Sequence, residues 1–184
     1  YHINADEPSV LDYNTDYKSP DQIVSLFNPD QYRVSDHDPV IVGLDLQNAP
    51  DLSDLGFVTG GGWFVSPAGA YTAQPDLIAR AHFDLTVKYH KQNILPQGHL
   101  KLKLQKARFD FRSDTLDWLT INGDHSLAIF TGSGSLNNEG GYHYMVWVGD
   151  GSPDAIRVLI WNNDQIVFDN RGLQPINNGS LVIH

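Results

Sequence analysis

The sequence contains no cysteine, a single methionine and no long apolar run. The absence of cysteine excludes disulfide bonds, thiolate metal sites and cysteine nucleophiles, and it leaves the cellular compartment open. Because no stretch approaches about eighteen consecutive apolar residues, no membrane span is expected. The chain opens at Tyr1 without a methionine or a signal sequence, which is typical of a processed or truncated product.

Basic residues are also scarce. The chain carries 12 lysines and arginines against 22 aspartates and glutamates, a net charge of −10. Residues 1–47 hold nine acidic and two basic side chains, a net charge of −7. Phosphate binding needs a basic footprint, so the composition disfavours a free-standing nucleic-acid-binding protein. The hydrophobic content of 41% is enough to build a core.

The composition divides the chain into three parts. Residues 1–47 are rich in turn residues, and their best strand candidate lies at about 40–46. Residues 48–56 are polar, contain Pro50 and are predicted to be a linker. Residues 57–184 contain many short segments in which apolar and polar residues alternate.

This alternation predicts an all-β fold, an antiparallel sandwich or barrel, with an extended N-terminal strand and loop segment. The apolar phase changes near Gln105-Lys106, which predicts a bulge or a corner. Asn162-Asn163-Asp164 is typical of a tight hairpin turn. Loops are expected at the glycine clusters of residues 60–62 and 132–141. No segment shows helical spacing over ten residues.

The stretch Ser35–Pro39, Ser-Asp-His-Asp-Pro, precedes the apolar run Val40–Val42. It resembles the terminal motif of the endonuclease/exonuclease/phosphatase family, the deoxyribonuclease-like metal-dependent phosphodiesterases. Three upstream stretches are similar to the same region of large secreted bacterial nucleases: Tyr1–Pro8, Leu11–Asn14 and Tyr32-Arg33. This resemblance covers about residues 1–46 and implies an extracellular protein.

The resemblance implies that His37 acts as general base or stabilises the scissile phosphate, and that Asp36 orients its imidazole. It also implies a divalent metal, Mg²⁺ or Ca²⁺, and a nucleic-acid substrate for the parent nuclease. The family's metal-binding Glu and Asn, its second His and its Asp-x-Asn pair are missing from this chain. We therefore expect Asp36 and His37 to be inactive here, and we expect this chain alone to require no cofactor.

A second resemblance concerns residues 57–184. Three stretches are similar to a β-rich accessory domain at the C-terminus of secreted bacterial proteins: Gly61–Trp63, Ser66–Tyr71 and Trp161–Asn170. It implies a fold and no particular site.

A strand at 40–46 that is separated from its parent sheet has unpaired backbone groups and uncovered apolar side chains. We expect it to pair with the β domain of its own chain or to add to a neighbouring copy. Addition to a copy predicts a homo-oligomer or a filament. The assembly residues would be Val40, Ile41, Val42, Leu44 and Leu46.

Four other groups of residues have alternative interpretations. Asp150 and Asp154 lie in an acidic turn suited to Ca²⁺, but the turn lacks EF-hand spacing. Seven cations would form either a solvated face or a contact for a polyanion or glycan: Lys88, Lys91, Lys101, Lys103, Lys106, Arg108 and Arg112. Four tryptophans would form either core or a sugar-stacking platform: Trp63, Trp118, Trp147 and Trp161. Five histidines show no close metal-ligand spacing: His82, His90, His99, His125 and His143.

Three functions follow from these patterns. The first is a secreted, non-catalytic β module that self-associates through its N-terminal segment. The second is the C-terminal piece of an active metal-dependent nuclease. The third is a module that binds a glycan or a cell surface.

Overall fold

The computed structural model describes residues 18–21, 56–91 and 93–184. The chain divides into two compact units, residues 1–49 and 50–184, and the second unit contains the fold described below. Its ten strands are β1 Phe57–Ser66, β2 Ala79–Lys88, β3 Gln97–Leu104, β4 Asp110–Ser113, β5 Trp118–Ile121, β6 Leu127–Leu136, β7 Glu139–Gly149, β8 Ala155–Asn162, β9 Gln165–Asp169 and β10 Gln174–Ile183. The prediction of an all-β fold is confirmed. No helix within the described ranges has the length and apolar character needed to cross a bilayer.

Eight of the strands form a closed antiparallel barrel. Their order is β10-β1-β2-β3-β4-β6-β7-β8, and β8 pairs with β10 to close the ring. The two remaining strands are attached to the barrel, β5 to β6 and β9 to β8. Of the two predicted architectures, the barrel is therefore the one that forms.

The core lies inside the barrel and follows the alternation of the sequence. In β2, the side chains of Ala81, Phe83, Leu85 and Val87 point inward, and the residues between them are partly or fully exposed. The burial of each large apolar side chain contributes roughly 1.5–3 kcal/mol to folding. Aromatic rings fill the centre, where Tyr144 packs edge-on between other buried rings.

The predicted change of phase near Gln105-Lys106 is the corner that joins β3 and β4. Lys106 has a φ of 66°, and the backbone N–H of Leu104 donates to the carbonyl of Phe109 across the turn. The predicted hairpin at Asn162–Asp164 also forms. Asn163 and Asp164 have positive φ values of 46° and 63°, as a two-residue hairpin turn requires.

The prediction of loops at the glycine clusters is wrong in large part. Gly60–Gly62 lie within β1, and the cluster of residues 132–141 spans the end of β6 and the start of β7. The physical reason is close packing, because a Cβ atom at Gly132 would collide with the carbonyl of Thr115 and the hydroxyl of Tyr144. A Cβ atom at Gly60, Gly62 or Gly134 would likewise collide with neighbouring backbone, so these glycines lie in strands where the chain packs closely and do not mark turns.

The barrel closes at a short seam between β8 and β10. Only two residue pairs join the strands, Gln174 with Ile156 and Pro175 with Ala155. Beside this seam, the buried side chain of Asn170 makes hydrogen bonds to the β8 backbone of the kind that a neighbouring strand would make. Its Oδ1 accepts from the N–H of Val158 at 2.7 Å, and its Nδ2 donates to the carbonyl of Ile156 at 2.9 Å.

Candidate functional site

The two residues of the nuclease-like motif, which we expect to be inactive here, and the predicted assembly residues lie outside the described part of the chain. This applies to Asp36 and His37 and to the strand residues Val40, Ile41, Val42, Leu44 and Leu46. Their roles stay predictions.

Strand addition requires a sheet edge that can accept a strand, and two edges of the barrel domain are covered. The edge of β5 is covered by Tyr89, whose hydroxyl accepts from the N–H of Leu119 and donates to its carbonyl. The edge of β9 is covered by the β1–β2 loop, where Thr72 donates to Val167 and Ala70 accepts from Asp169. These contacts protect the domain from edge-to-edge pairing.

Asp150 and Asp154, the predicted calcium ligands, lie in the β7–β8 loop and contact β10. Asp150 Oδ2 accepts from the N–H of Ile183 at 2.8 Å, and Asp154 Oδ2 accepts from the N–H of Leu181 at 2.9 Å. Asp154 Oδ1 also accepts from the N–H of Gly151 at 3.3 Å. Both carboxylates thus satisfy backbone donors of β10 that have no strand partner at the seam. Calcium binding stays a prediction.

The histidines are distributed over separate strands and loops. Among residues 18–21, 56–91 and 93–184, no cluster of three or more His, Asp or Glu side chains is arranged to hold a metal. His99 lies 3.0 Å from Asp84, and His143 stacks on Trp161 with ring centroids 5.8 Å apart. His82 Nε2 is buried and has no hydrogen-bond partner among the residues that the structure describes.

The positions of the tryptophans exclude the interpretation that they form the core, and sugar stacking stays a prediction. None of the four lies in the core, which is filled by phenylalanine, tyrosine and aliphatic side chains. Trp118 is 38% exposed, and the other three are partly exposed on the outer sides of their strands. Trp147 and Trp161 belong to the adjacent strands β7 and β8, and Trp118 belongs to β5, which is separated from β7 by β6.

The outer surface of β5–β9 is therefore apolar and aromatic, and we call it the aromatic face. It comprises Trp118, Met145, Trp147, Leu159, Trp161 and Ile166. Direct cross-strand pairs connect its members, because Met145 lies opposite Leu159 and Trp161 lies opposite Ile166. Ile166 is 51% exposed. An apolar surface of this kind on the outside of a barrel is typical of a binding site.

Polar neighbours hold two of these rings in place. The Arg157 guanidinium lies 4.6 Å from the centroid of Trp147 and is fixed by two hydrogen bonds to Asp169, at 3.2 and 3.0 Å. His143 stacks on Trp161 with an angle of 25° between the ring planes. The fixed orientation reduces the conformational entropy that these side chains would lose on binding.

One end of the barrel carries an open cavity of about 560 Å³. It lies between the β2–β3 loop and the β4–β5 loop. Its lining combines polar and apolar residues: Asn93, Ile94, Leu95, Pro96, Gln97, Gly98, Ser113, Asp114, Thr115 and Leu116. Ile94 is 84% exposed at the rim. Leu116, in the cavity lining, lies two residues before Trp118 in the sequence.

Tyr144 supports the wall of this cavity from inside the barrel. Its hydroxyl donates to the carbonyl of Thr115 at 2.9 Å. Burial raises the pKa of Tyr144 well above its usual range, and the negative charge of Asp117 also raises it, whereas a hydrogen bond with Ser113 lowers it. The phenol therefore stays protonated and keeps its donor role.

Three of the seven cations that the sequence analysis grouped lie together on one sheet surface. Lys101, Lys103 and Arg112 are exposed on the outer surface of β3 and β4, with Lys101 directly opposite Arg112. Asp84 lies opposite Lys101 on the other side and contacts Lys101 at 3.4 Å and His99 at 3.0 Å. Desolvation alone would raise the pKa of Asp84, but hydrogen bonds and charge from His99 and Lys101 lower it overall.

Sequence reasoning missed the cavity and could have found the aromatic face. Arg157 occupies the outer phase of β8, and Trp161 lies four residues further along the same strand in the same phase. The cavity is formed by two loops that are distant in the sequence. The apolar pair Ile94-Leu95, which is exposed in the structure, is the one local feature of the sequence that points to it.

No family model, no curated protein and no solved structure matches the chain significantly. The resemblances to a nuclease family and to a secreted accessory domain stay predictions.

Proposed function

We propose that residues 57–184 form a carbohydrate-binding module that attaches to a polysaccharide chain through the aromatic face. The observation that supports this proposal is the outward position of every tryptophan in the sequence. An indole exposed on a sheet surface leaves a large apolar area in water and keeps an N–H donor available. Such a side chain is suited to a ligand with both apolar C–H faces and hydroxyl groups, which describes a sugar ring.

The neighbours of the rings are also suited to sugars. Thr131 lies between Trp118 and Met145 in cross-strand register, and Ser133 lies opposite His143. The Thr131 hydroxyl donates to the carbonyl of Tyr144, and the Ser133 hydroxyl shares a hydrogen bond with Thr115 Oγ1, so both oxygens retain capacity to accept from a ligand. The imidazole of His143 can donate or accept. The combination of an apolar surface and a few polar groups is typical of a ligand site that fixes the orientation of its ligand.

The spacing of the rings favours an extended chain over a single sugar. Trp147 lies opposite Arg157, and Trp161 lies opposite His143, so the two tryptophans are four positions apart along adjacent strands. At about 3.3 Å per residue this separation is about 13 Å, which is longer than one sugar ring. A polysaccharide could therefore contact both rings through different units.

The test is binding of the 184-residue chain to neutral polysaccharides and to a glycan array. We expect Trp147→Ala and Trp161→Ala each to lower the affinity for the bound glycan by about tenfold or more, as removal of a central aromatic contact does. Trp161→Phe retains a ring and should retain part of the affinity. Thermal unfolding of each variant separates loss of binding from loss of folding.

Trp63→Ala is the matched control, because Trp63 is also partly exposed but lies on β1, outside the aromatic face. Its affinity for the neutral glycan should equal that of the wild type. The proposal is wrong if the chain binds no neutral glycan, or if all three alanine variants lose affinity equally.

A further inference from the structure

The positive charge of the barrel domain is concentrated in one part of the chain. Residues 80–112 carry eight basic side chains and only two acidic ones, Asp84 and Asp110, a net charge of +6. Residues 113–184 carry eight acidic side chains and two basic ones, a net charge of −6. The net charge of the domain is low because the two segments offset each other. The strands β2, β3 and β4 and their connections form a basic side of the domain.

Ion pairs neutralise only part of this charge. Asp84 pairs with Lys101, and Asp110 pairs with Arg112 at 3.3 Å. Six basic side chains remain. Within residues 56–91 and 93–184, no carboxylate lies at ion-pair distance from four of them: Arg80, Lys103, Lys106 and Arg108. These four cations remain available to an external anion.

Two of these cations line a pocket of about 370 Å³ beside the corner between β3 and β4. The pocket is formed by Val65, Ile78, Ala79, Arg80, Gln105 and Lys106. Its two cationic members are held close together, because the N–H of Gln105 donates to the carbonyl of Arg80 at 2.9 Å. Lys103 is near them, since it lies opposite His82, two residues from Arg80 on the same face of β2.

Both cations at the pocket are positioned by their surroundings. The Arg80 guanidinium lies 4.4 Å from the ring centroid of Trp63, and a guanidinium packed on an aromatic face keeps its donors available at the edges. Lys106 has a φ of 66°, a conformation that favours glycine or asparagine over lysine. This backbone conformation places Lys106 at the corner beside the pocket.

We propose that Arg80, Lys103 and Lys106 form a binding site for the carboxylate or sulfate groups of an acidic polysaccharide. The exposed side chains of Ile78 and Val65, 62% and 42% exposed, flank the cations and offer apolar contact to sugar rings. Charge favours this ligand over nucleic acid, because a duplex carries one phosphate per about 1.7 Å of helix and a chain of net charge −10 repels so dense a polyanion. The site is on β1–β4, so it is independent of the aromatic face.

The experiment measures the affinity of the 184-residue chain for heparin, which carries sulfate, and for polygalacturonate, which carries carboxylate. Both affinities should fall as salt is raised. Lys106→Gly should lower the affinity for the preferred polymer by about tenfold, because a charge-assisted contact is lost. The same substitution should raise the melting temperature, because glycine adopts this φ without strain. Loss of binding with gain of stability distinguishes a ligand contact from a structural role.

Arg171→Gly is the matched control. Arg171 is exposed, has a φ of 63° and follows β9, so the variant removes the same charge and the same strain away from the pocket. It should leave the affinity unchanged. Equal loss of affinity in both variants would show that the loss comes from the change in net charge and not from a contact at the pocket, and it would overturn the proposal. Tighter binding of duplex DNA than of either polysaccharide, lost in Lys106→Gly, would overturn it in favour of nucleic acid.

Discussion

At the scale of single residues, buried polar groups in this barrel connect distant segments. The side chain of Asn170 hydrogen-bonds two backbone groups of β8, the N–H of Val158 and the carbonyl of Ile156, and Tyr144 reaches from the core to the carbonyl of Thr115. Removal of one partner from such a bond leaves the other buried and unsatisfied. These residues should therefore affect stability more than their exposed neighbours do.

Tyr144→Phe tests this expectation. The substitution keeps the ring and removes the hydroxyl that donates to Thr115, so we expect a loss of about 1–2 kcal/mol in the free energy of unfolding. Denaturant titration followed by circular dichroism measures it. Tyr142→Phe is the control on the same strand, because no hydrogen bond of its hydroxyl is found among the described residues. Equal stability of both variants and the wild type would contradict the role assigned to Tyr144.

At the scale of elements, β10 depends on the β7–β8 loop. One edge of β10 pairs with β1 along most of its length, but the other edge pairs with β8 at only two positions. The carboxylates of Asp150 and Asp154 accept the N–H groups of Ile183 and Leu181 further along that edge. An acidic turn that sequence reasoning associated with calcium thus has a structural function in closing the barrel.

Asp154→Ala should destabilise the chain by about 1.5–3 kcal/mol, because it removes a charged acceptor from the N–H of Leu181. Hydrogen exchange at Leu181 should accelerate more than exchange in β2, since the seam opens first. Asp154→Asn keeps an oxygen acceptor and should lose less stability. An alanine variant as stable as the asparagine variant would show that the carboxylate does not hold β10.

At the scale of the whole molecule, the domain keeps its tryptophans outside and its basic residues on one side. A closed barrel has a single inner surface, which here is occupied by phenylalanine, tyrosine and aliphatic residues. Everything else that the domain can bind must contact the outer surface or the loops at the ends. The two proposed sites are consistent with this division.

Tryptophan fluorescence tests the division directly. Since no tryptophan is in the core, we expect acrylamide to quench the native chain nearly as well as the unfolded chain, and the emission maximum to change little on unfolding. Addition of a polysaccharide that occupies the aromatic face should reduce the quenching. Weak quenching that becomes strong only after denaturation would show that the rings are shielded from solvent.

The sequence by itself determined the all-β class, the corner near Lys106 and the hairpin at Asn163-Asp164, because alternation and turn residues act locally. It also left the choice between core and surface open for the tryptophans, since apolar residues occupy both phases of β7. Only the tertiary structure decided that glycines such as Gly132 lie in strands, that Asp154 holds β10 and that two distant loops enclose a cavity. Each of these depends on the close approach of segments far apart in the chain, and such contacts leave no periodic signal in the sequence.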